Sequence, residues 1–175
     1  MVNGQSVKVA IRNACIDDIA GIGALVAECG PYLSRHLSYQ YFVYANYFRQ
    51  TCAVALEDGR VIGWRSTLRV SRRKYFMHQI CVHPDARGKQ VAFRLFGDLL
   101  DRLRARHGDD FRLEFTADRR NSAIHHLSRK VAACFRMNLR KLPLVLPQFE
   151  DGSEEELFEM TPLREIGVVM TSKAA

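Results

Sequence analysis

One stretch constrains the fold of this chain more than any other: Gln79-Ile80-Cys81-Val82-His83-Pro84-Asp85-Ala86-Arg87-Gly88-Lys89-Gln90-Val91-Ala92. An apolar strand ends at His83-Pro84-Asp85 and runs into a basic loop with one glycine. The spacing then predicts a helix from Val91 to His107, with Leu95, Leu99 and Leu103 in an i, i+4 stripe and Arg102, Arg104 and Arg106 off it. Gly108 ends that helix. A helix start leaves backbone N–H groups without intrahelical partners and carries partial positive charge. Arg87 and Lys89 add whole charges there, and the small Gly88 and Ala92 let a ligand come close to the backbone. Together these parts have the physics of a pyrophosphate cradle. Taken alone, a basic Gly-containing loop reads equally as solvated surface.

The rest of the chain interleaves strands and helices around that unit. Val7–Arg12 alternates as a strand, and Asp17 is a candidate N-cap for a helix carried by Ile19, Ile22 and Val26. Gly30-Pro31 stops it. Ser38–Arg49, rich in Tyr39, Phe42, Val43, Tyr47 and Phe48, suits a second helix. Strands Cys52–Leu56 and Val61–Val70 meet at Asp58-Gly59, a hairpin signal. Further strands are predicted at Tyr75–Val82, Phe111–Thr116, part of Leu139–Leu146 and Leu157–Thr161. A helix Ser122–Phe135 is opened by Asn121, and an acidic loop covers Glu150–Glu156. The order β-α-α-β-β-β-α-β-α-β-β, without repeat or linker, predicts one mixed α/β layer domain over residues 1–163, followed by a tail at 164–175.

Composition removes several classes. With 47% hydrophobic and 26% charged residues over 175 positions, the chain is no disordered tail and can bury a real core. No apolar run approaches the ~18 residues a membrane span needs, and the first residues lack the pattern of a secretory signal. The five cysteines (15, 29, 52, 81 and 134) are scattered and include no CxxC, so buried thiols in a reducing cytoplasm are expected rather than disulfides or zinc. The net charge of +7 points to an anionic partner, either nucleic acid or a small ligand with several phosphates.

The strand, VHPDARGKQVA and the amphipathic helix closely resemble motif A of the GCN5-related N-acetyltransferases, whose loop binds the pyrophosphate of acetyl-CoA. Arg87 and Ala92 match that family's Arg/Gln-x-x-Gly-x-Gly/Ala pattern, and Gln90 stands where its central glycine would be. Over about residues 7–161 the chain resembles the diaminobutyrate acetyltransferases of ectoine synthesis. Tyr39-x-Tyr41, Phe48-x-x-Thr51-Cys52-Ala53-Val54-Ala55, Gly59-Arg60-Val61-Ile62-Gly63-Trp64, Gln79-x-x-Val82-His83-Pro84, Leu113-Glu114-x-Thr116 and Asn121-x-Ala123 carry that likeness. The departures fall on the amine side. Ser34 or a neighbour stands for an acidic residue, His78 for a Trp, and Ser153-Glu154 for a His-Glu pair.

The resemblance implies a mostly antiparallel mixed sheet flanked by helices, and direct transfer of acetyl from acetyl-CoA, with no metal, to a primary amine of a small molecule such as a diamino acid. It implies a coenzyme site at Ile80, Cys81, Val82, Arg87, Gly88, Lys89, Gln90, Val91, Ala92 and Asn121. A cytoplasmic enzyme is expected that binds neither membrane nor nucleic acid, since the basic residues spread around their helix suit a solvated surface, and the dimers common in the resembling family add a possible homodimer to the expectation. Glu114 is the first candidate for the base that takes the amine's proton, against an exposed strand face or an Arg salt bridge. His78 is the second, since an imidazole titrates near neutrality. Strand alternation puts His78 and Gln79 on opposite faces unless a bulge intervenes. Tyr39 and Tyr41 line the acceptor pocket or pack in the core, and Glu154 attracts the acceptor ammonium or sits in a solvated loop. The leaving-group Tyr that many members place in the helix after Asn121 is absent; Ser128 stands near its position. The competing readings are acetylation of a protein terminus or Lys, a catalytically weak coenzyme-binding paralogue, and nucleic-acid binding through Arg69, Arg72, Arg73 and Lys74 with the basic residues at 119–141.

Overall fold

A computed structural model describes residues 9–145 and 154–163. Among them, β1 (Ala10–Asn13), α1 (Ile19–Glu28), α2 (Ser38–Tyr47), β2 (Ala53–Glu57), β3 (Arg60–Arg69), β4 (Lys74–Val82), α3 (Val91–His107), β5 (Arg112–Asp118), α4 (Ser122–Cys134), β6 (Met137–Val145) and β7 (Glu155–Pro162) follow in order. The seven strands form one sheet in the order β1-β2-β3-β4-β5-β7-β6. Every neighbouring pair is antiparallel except β4 with β5. The fold is the expected mixed, mostly antiparallel sheet flanked by helices. The predicted tail at 164–175 and most of the acidic loop lie outside the described residues.

Apolar side chains cover both faces. Ile22, Leu25 and Val26 of α1 and Tyr41 and Tyr44 of α2 pack with Val54, Trp64 and Cys81 on one face. Phe96, Leu99, Leu100 and Leu103 of α3 pack with Tyr75, Met77, Leu113, Phe115 and Met160 on the other. α3 lies very close to the sheet at Gly63, where an added Cβ would stand 2.9 Å from both Leu95 Cδ1 and Val91 Cγ1. That glycine lets the helix start sit down on β3 next to the end of β4. No helix among the described residues is long and apolar enough to cross a membrane.

Three local readings change. Asp17 caps nothing: a single 3-10 turn, Ile16–Asp18, precedes α1, and Asp18 takes the capping role because its carboxylate accepts the Cys15 N–H at 2.8 Å. Arg12 holds the same carboxylate at 2.6 Å. The cysteines are free, but only Cys29, Cys52 and Cys81 are buried, with Cys15 half-buried and Cys134 exposed. Finally, β4 contains a bulge. Ser66 faces Gln79 and Thr67 faces Met77, so His78 has no partner on β3. The extra residue turns His78 and Gln79 to the same side of the sheet.

Candidate active site

The bulge is followed by a parting of strands. β4 and β5 share a ladder only from Lys74/Arg112 to Met77/Phe115. Beyond it β4 runs on to Val82 and β5 to Asp118 with no mutual ladder among the described residues. A cleft of about 370 Å³ opens there, lined by Met77–Ile80 of β4, Phe115–Asp118 of β5 and the 31–36 segment between α1 and α2. Arg120, Asn121 and Glu155 complete its wall. Its size falls in the range of small-molecule sites.

The open edge of β4 offers backbone groups to this gap. His83 donates its N–H to the Ile62 carbonyl on β3 at 2.9 Å. Amides alternate in direction along a strand, so Ile80 and Val82 turn theirs to the unpaired side.

Past β4, a 3-10 turn Pro84–Ala86 leads into the loop Arg87–Gln90 and the start of α3, and no side chain caps that start. The first-turn amides of α3 therefore carry their positive partial charge without a side-chain acceptor. Arg87, Gly88, Lys89 and Gln90 are all exposed. Lys89 reaches Glu57 at 3.1 Å. The Arg87 side chain forms no ion pair or hydrogen bond among the described residues. Gly88 and Gln90 both adopt the left-handed region, at φ 79° and 59°.

On the acceptor side, Asp118 is a hub. Its carboxylate accepts from Arg120 Nη2 at 2.7 Å and from the Arg120 backbone N–H at 2.7 Å. Those contacts hold it far below the usual carboxylate range. Its carbonyl takes the Asn121 N–H and a bond from His125 Nε2 at 3.1 Å. Asn121 lines the cleft while its Oδ1 caps α4 by accepting the Ile124 N–H. Gln79 ties the wall together, accepting from Trp64 Nε1 at 3.3 Å and donating to the Ser34 carbonyl at 2.9 Å. Tyr32 donates to the Arg120 carbonyl at 3.4 Å, so the α1–α2 segment bridges to the β5–α4 turn across the cleft.

The candidate residues separate accordingly. His78, Ile80 and Asn121 line the cleft. Cys81 faces away from it into the α1–α2 core. Glu114 does not reach the cleft: β5 meets β4 at Phe76, not at Ile80–Val82, and Glu114 is held by Lys74 at 2.9 Å. Tyr39 lies on the outer face of α2, 74% exposed, and Tyr41 is core, edge-on to Trp64, with its hydroxyl accepting the His36 N–H at 3.3 Å. Glu154 pairs with Arg119 at 2.8 Å in solvent, while its neighbour Glu155 lines the cleft. Ser128 is buried and bonded to the His125 carbonyl, so it supplies no acid to the cleft. Reasoning from sequence missed His36, Tyr44, Asp118, Arg120 and Glu155. Of these, only Asp118-x-Arg120-Asn121, an acid at a strand end just before a helix cap, left a readable trace.

A family model described as the acetyltransferase (GNAT) family matches residues 22–130. The chain belongs to that family. As a GNAT protein it is an acetyl-CoA-dependent N-acetyltransferase. The L-2,4-diaminobutyric acid acetyltransferase of Vibrio cholerae is 32% identical over 122 residues, 69% of each chain. That of Chromohalobacter salexigens is 38% identical over 125 residues, 70% of this chain and 64% of the relative. Among solved structures, the diaminobutyrate acetyltransferase of Paenibacillus lautus, in complex with its substrate and coenzyme A, superposes with a TM-score of 0.80 at 24% identity. The superposition covers 93% of this chain and 100% of that one. Ard1 of Thermoplasma volcanium follows the same fold at 13% identity, with a TM-score of 0.76 over 89% of this chain and 99% of its own.

The GNAT loop glycine now has a physical reason, since Gln90 occupies its place in a left-handed conformation that costs a residue with a Cβ about 1 kcal/mol. Gln90→Gly is expected to relieve that strain, partly offset by the entropy glycine adds to the unfolded chain. The thermal midpoint should rise by about 1–2 °C, and β-branched Gln90→Val should lower it. A midpoint that falls with Gly would show that the Gln90 side chain itself holds the loop.

Proposed function

We propose that this enzyme acetylates a primary amine of a small diamino acid. The observation that carries the reading is the cleft of about 370 Å³, lined by Asp118 and Glu155 and bridged by Tyr32. A peptide acceptor needs an open groove, and the bridge from Tyr32 to the Arg120 carbonyl crosses that path. The named relatives that act on L-2,4-diaminobutyric acid support the same acceptor class.

The residues at the start of α3 suit a diphosphate: first-turn amides without a side-chain cap and an Arg87 with no ion pair among the described residues. Arg87, Gly88 and the amides from Gln90 to Ala92 would hold the coenzyme's pyrophosphate, with Lys89 adding positive charge nearby. When bound, acetyl-CoA supplies an activated thioester. The open edge of β4 at Ile80 and Val82 then offers N–H donors to an oxygen whose negative charge grows during attack. Glu155, beside the Asp118–Arg120 ion pair in the cleft wall, attracts the acceptor's ammonium and helps hold one nitrogen in the cleft. The attacking nitrogen must be neutral, and its proton leaves to water or to a cleft carboxylate.

The test is release of free thiol from acetyl-CoA with a panel of diamino acids, diamines, amino sugars and peptides. Turnover is expected with short diamino acids. Turnover confined to peptides would overturn the reading.

A further inference from the structure

A line of side chains behind the cleft sets the protonation of one wall residue. Gln40 Nε2 donates to the Tyr44 hydroxyl oxygen at 2.8 Å, and that oxygen lies 3.1 Å from His78 Nδ1. With its oxygen accepting from Gln40, the phenol is placed to donate its single proton to His78 Nδ1. A neutral imidazole that accepts at Nδ1 carries its own proton on Nε2. Burial, with a smaller effect from His36, lowers the His78 pKa to about 4, so the ring is neutral at physiological pH. His36 stacks on it at 5.0 Å and 22° and is also biased to the neutral form by burial, so the pair does not repel. His78 lines the cleft, and its Nε2–H has no protein partner among the described residues. The charged groups facing the same space are Asp118, Arg120 and Glu155, from β5, the turn before α4, and β7. A proton-bearing Nε2 has no lone pair to receive a proton, so the ring is unsuited to act as a base toward the cleft. It is a donor waiting for an oxygen.

We infer that His78 is a specificity-determining residue. Its neutral Nε2–H, fixed by the Gln40–Tyr44 line and the His36 stack, donates to the carboxylate of an amino-acid acceptor. This rests on the small-amine reading above and adds which part of the acceptor His78 selects.

The experiment compares a diamino acid with the diamine of the same chain length that lacks the carboxylate. His78→Phe should raise KM for the diamino acid by about 10-fold, the value of one hydrogen bond to a charged group. It should leave kcat within about 2-fold and KM for the diamine unchanged. His78→Gln, whose amide N–H falls near the position of Nε2, should restore most of the loss, and Tyr44→Phe should produce an intermediate one. Coenzyme A binding by calorimetry verifies that each variant is folded. Nitrogen-15 shifts of the wild-type imidazole should report the Nε2–H tautomer. An Nδ1–H tautomer, or equal KM changes for both acceptors, would overturn the inference while leaving the acceptor class intact. A wild-type enzyme that turns over no carboxylate-bearing amine would remove the acceptor reading, and this inference with it.

Discussion

Replacing Arg87 by Glu is expected to weaken coenzyme A binding by about 100-fold or more while leaving the fold intact. The first half follows from the ligand. A charge-assisted hydrogen bond contributes about 1.5–3 kcal/mol, and reversing the sign adds repulsion between a carboxylate and a diphosphate, for roughly 3 kcal/mol in all. The second half follows from the protein. Arg87 is exposed and its side chain holds no ion pair or hydrogen bond among the described residues, so little native structure depends on it. Calorimetric titration with coenzyme A and thermal unfolding separate the two halves. Lys89→Glu should cost less, because Lys89 is partly engaged by Glu57 at 3.1 Å in the free protein. Unchanged affinity in the Arg87 variant would move the diphosphate off the start of α3 and leave that helix end a solvated surface.

Local signals carried the basic loop before α3 and the periodic elements. Leu95, Leu99 and Leu103 repeat at helical spacing, and α3 runs from Val91 to His107 as that spacing requires. Asn121 caps α4 because a short side-chain acceptor suits that position in any context. What stayed hidden was set by tertiary register. Alternation separates His78 from Gln79, and only a bulge against Ser66 and Thr67 puts them on one side. A bulge adds one residue without a composition cue, since neither Gly nor Pro marks it here. A second long-range feature decides where Glu114 lies. Parallel strands that part after Met77 and Phe115 leave it level with Phe76, beside Lys74 and short of the cleft. Tyr41 and Tyr39 show the third limit. Two aromatic residues two positions apart on a helix point about 200° apart, so one enters the core and the other faces water. The Gln40–Tyr44–His78 line joins residues from α2 and β4 that no sequence window contains together.

Asp98→Asn is expected to cost about 3 kcal/mol of stability, because it would strand a buried cation. Arg65 on β3 is fully buried beneath α3, where burial lowers its pKa to about 10 and leaves it charged at neutral pH. It donates to the Leu95 carbonyl, to the Thr51 carbonyl at 3.4 Å and to Asp98 at 3.1 Å. Its Nε has no partner among the described residues, so Asp98 is the one carboxylate that balances it there. Asp98 itself is shared with Arg102 at 2.9 Å, one turn along α3, and keeps 24% of its surface in solvent. Neutralising it frees Arg102 to turn outward but gives Arg65 nowhere to go. For a domain of this length the loss corresponds to a fall of about 10 °C in thermal midpoint. Arg65→Met should be milder, since an apolar chain of similar length removes the charge and the need to balance it together. Combining Arg65→Met with Asp98→Asn should recover much of the single Asp98 loss. If Asp98→Asn lowers the midpoint no more than an exposed pair such as Arg119–Glu154 does when broken, the buried guanidinium is satisfied by carbonyls alone. The link from β3 to α3 would then rest on apolar packing around Gly63.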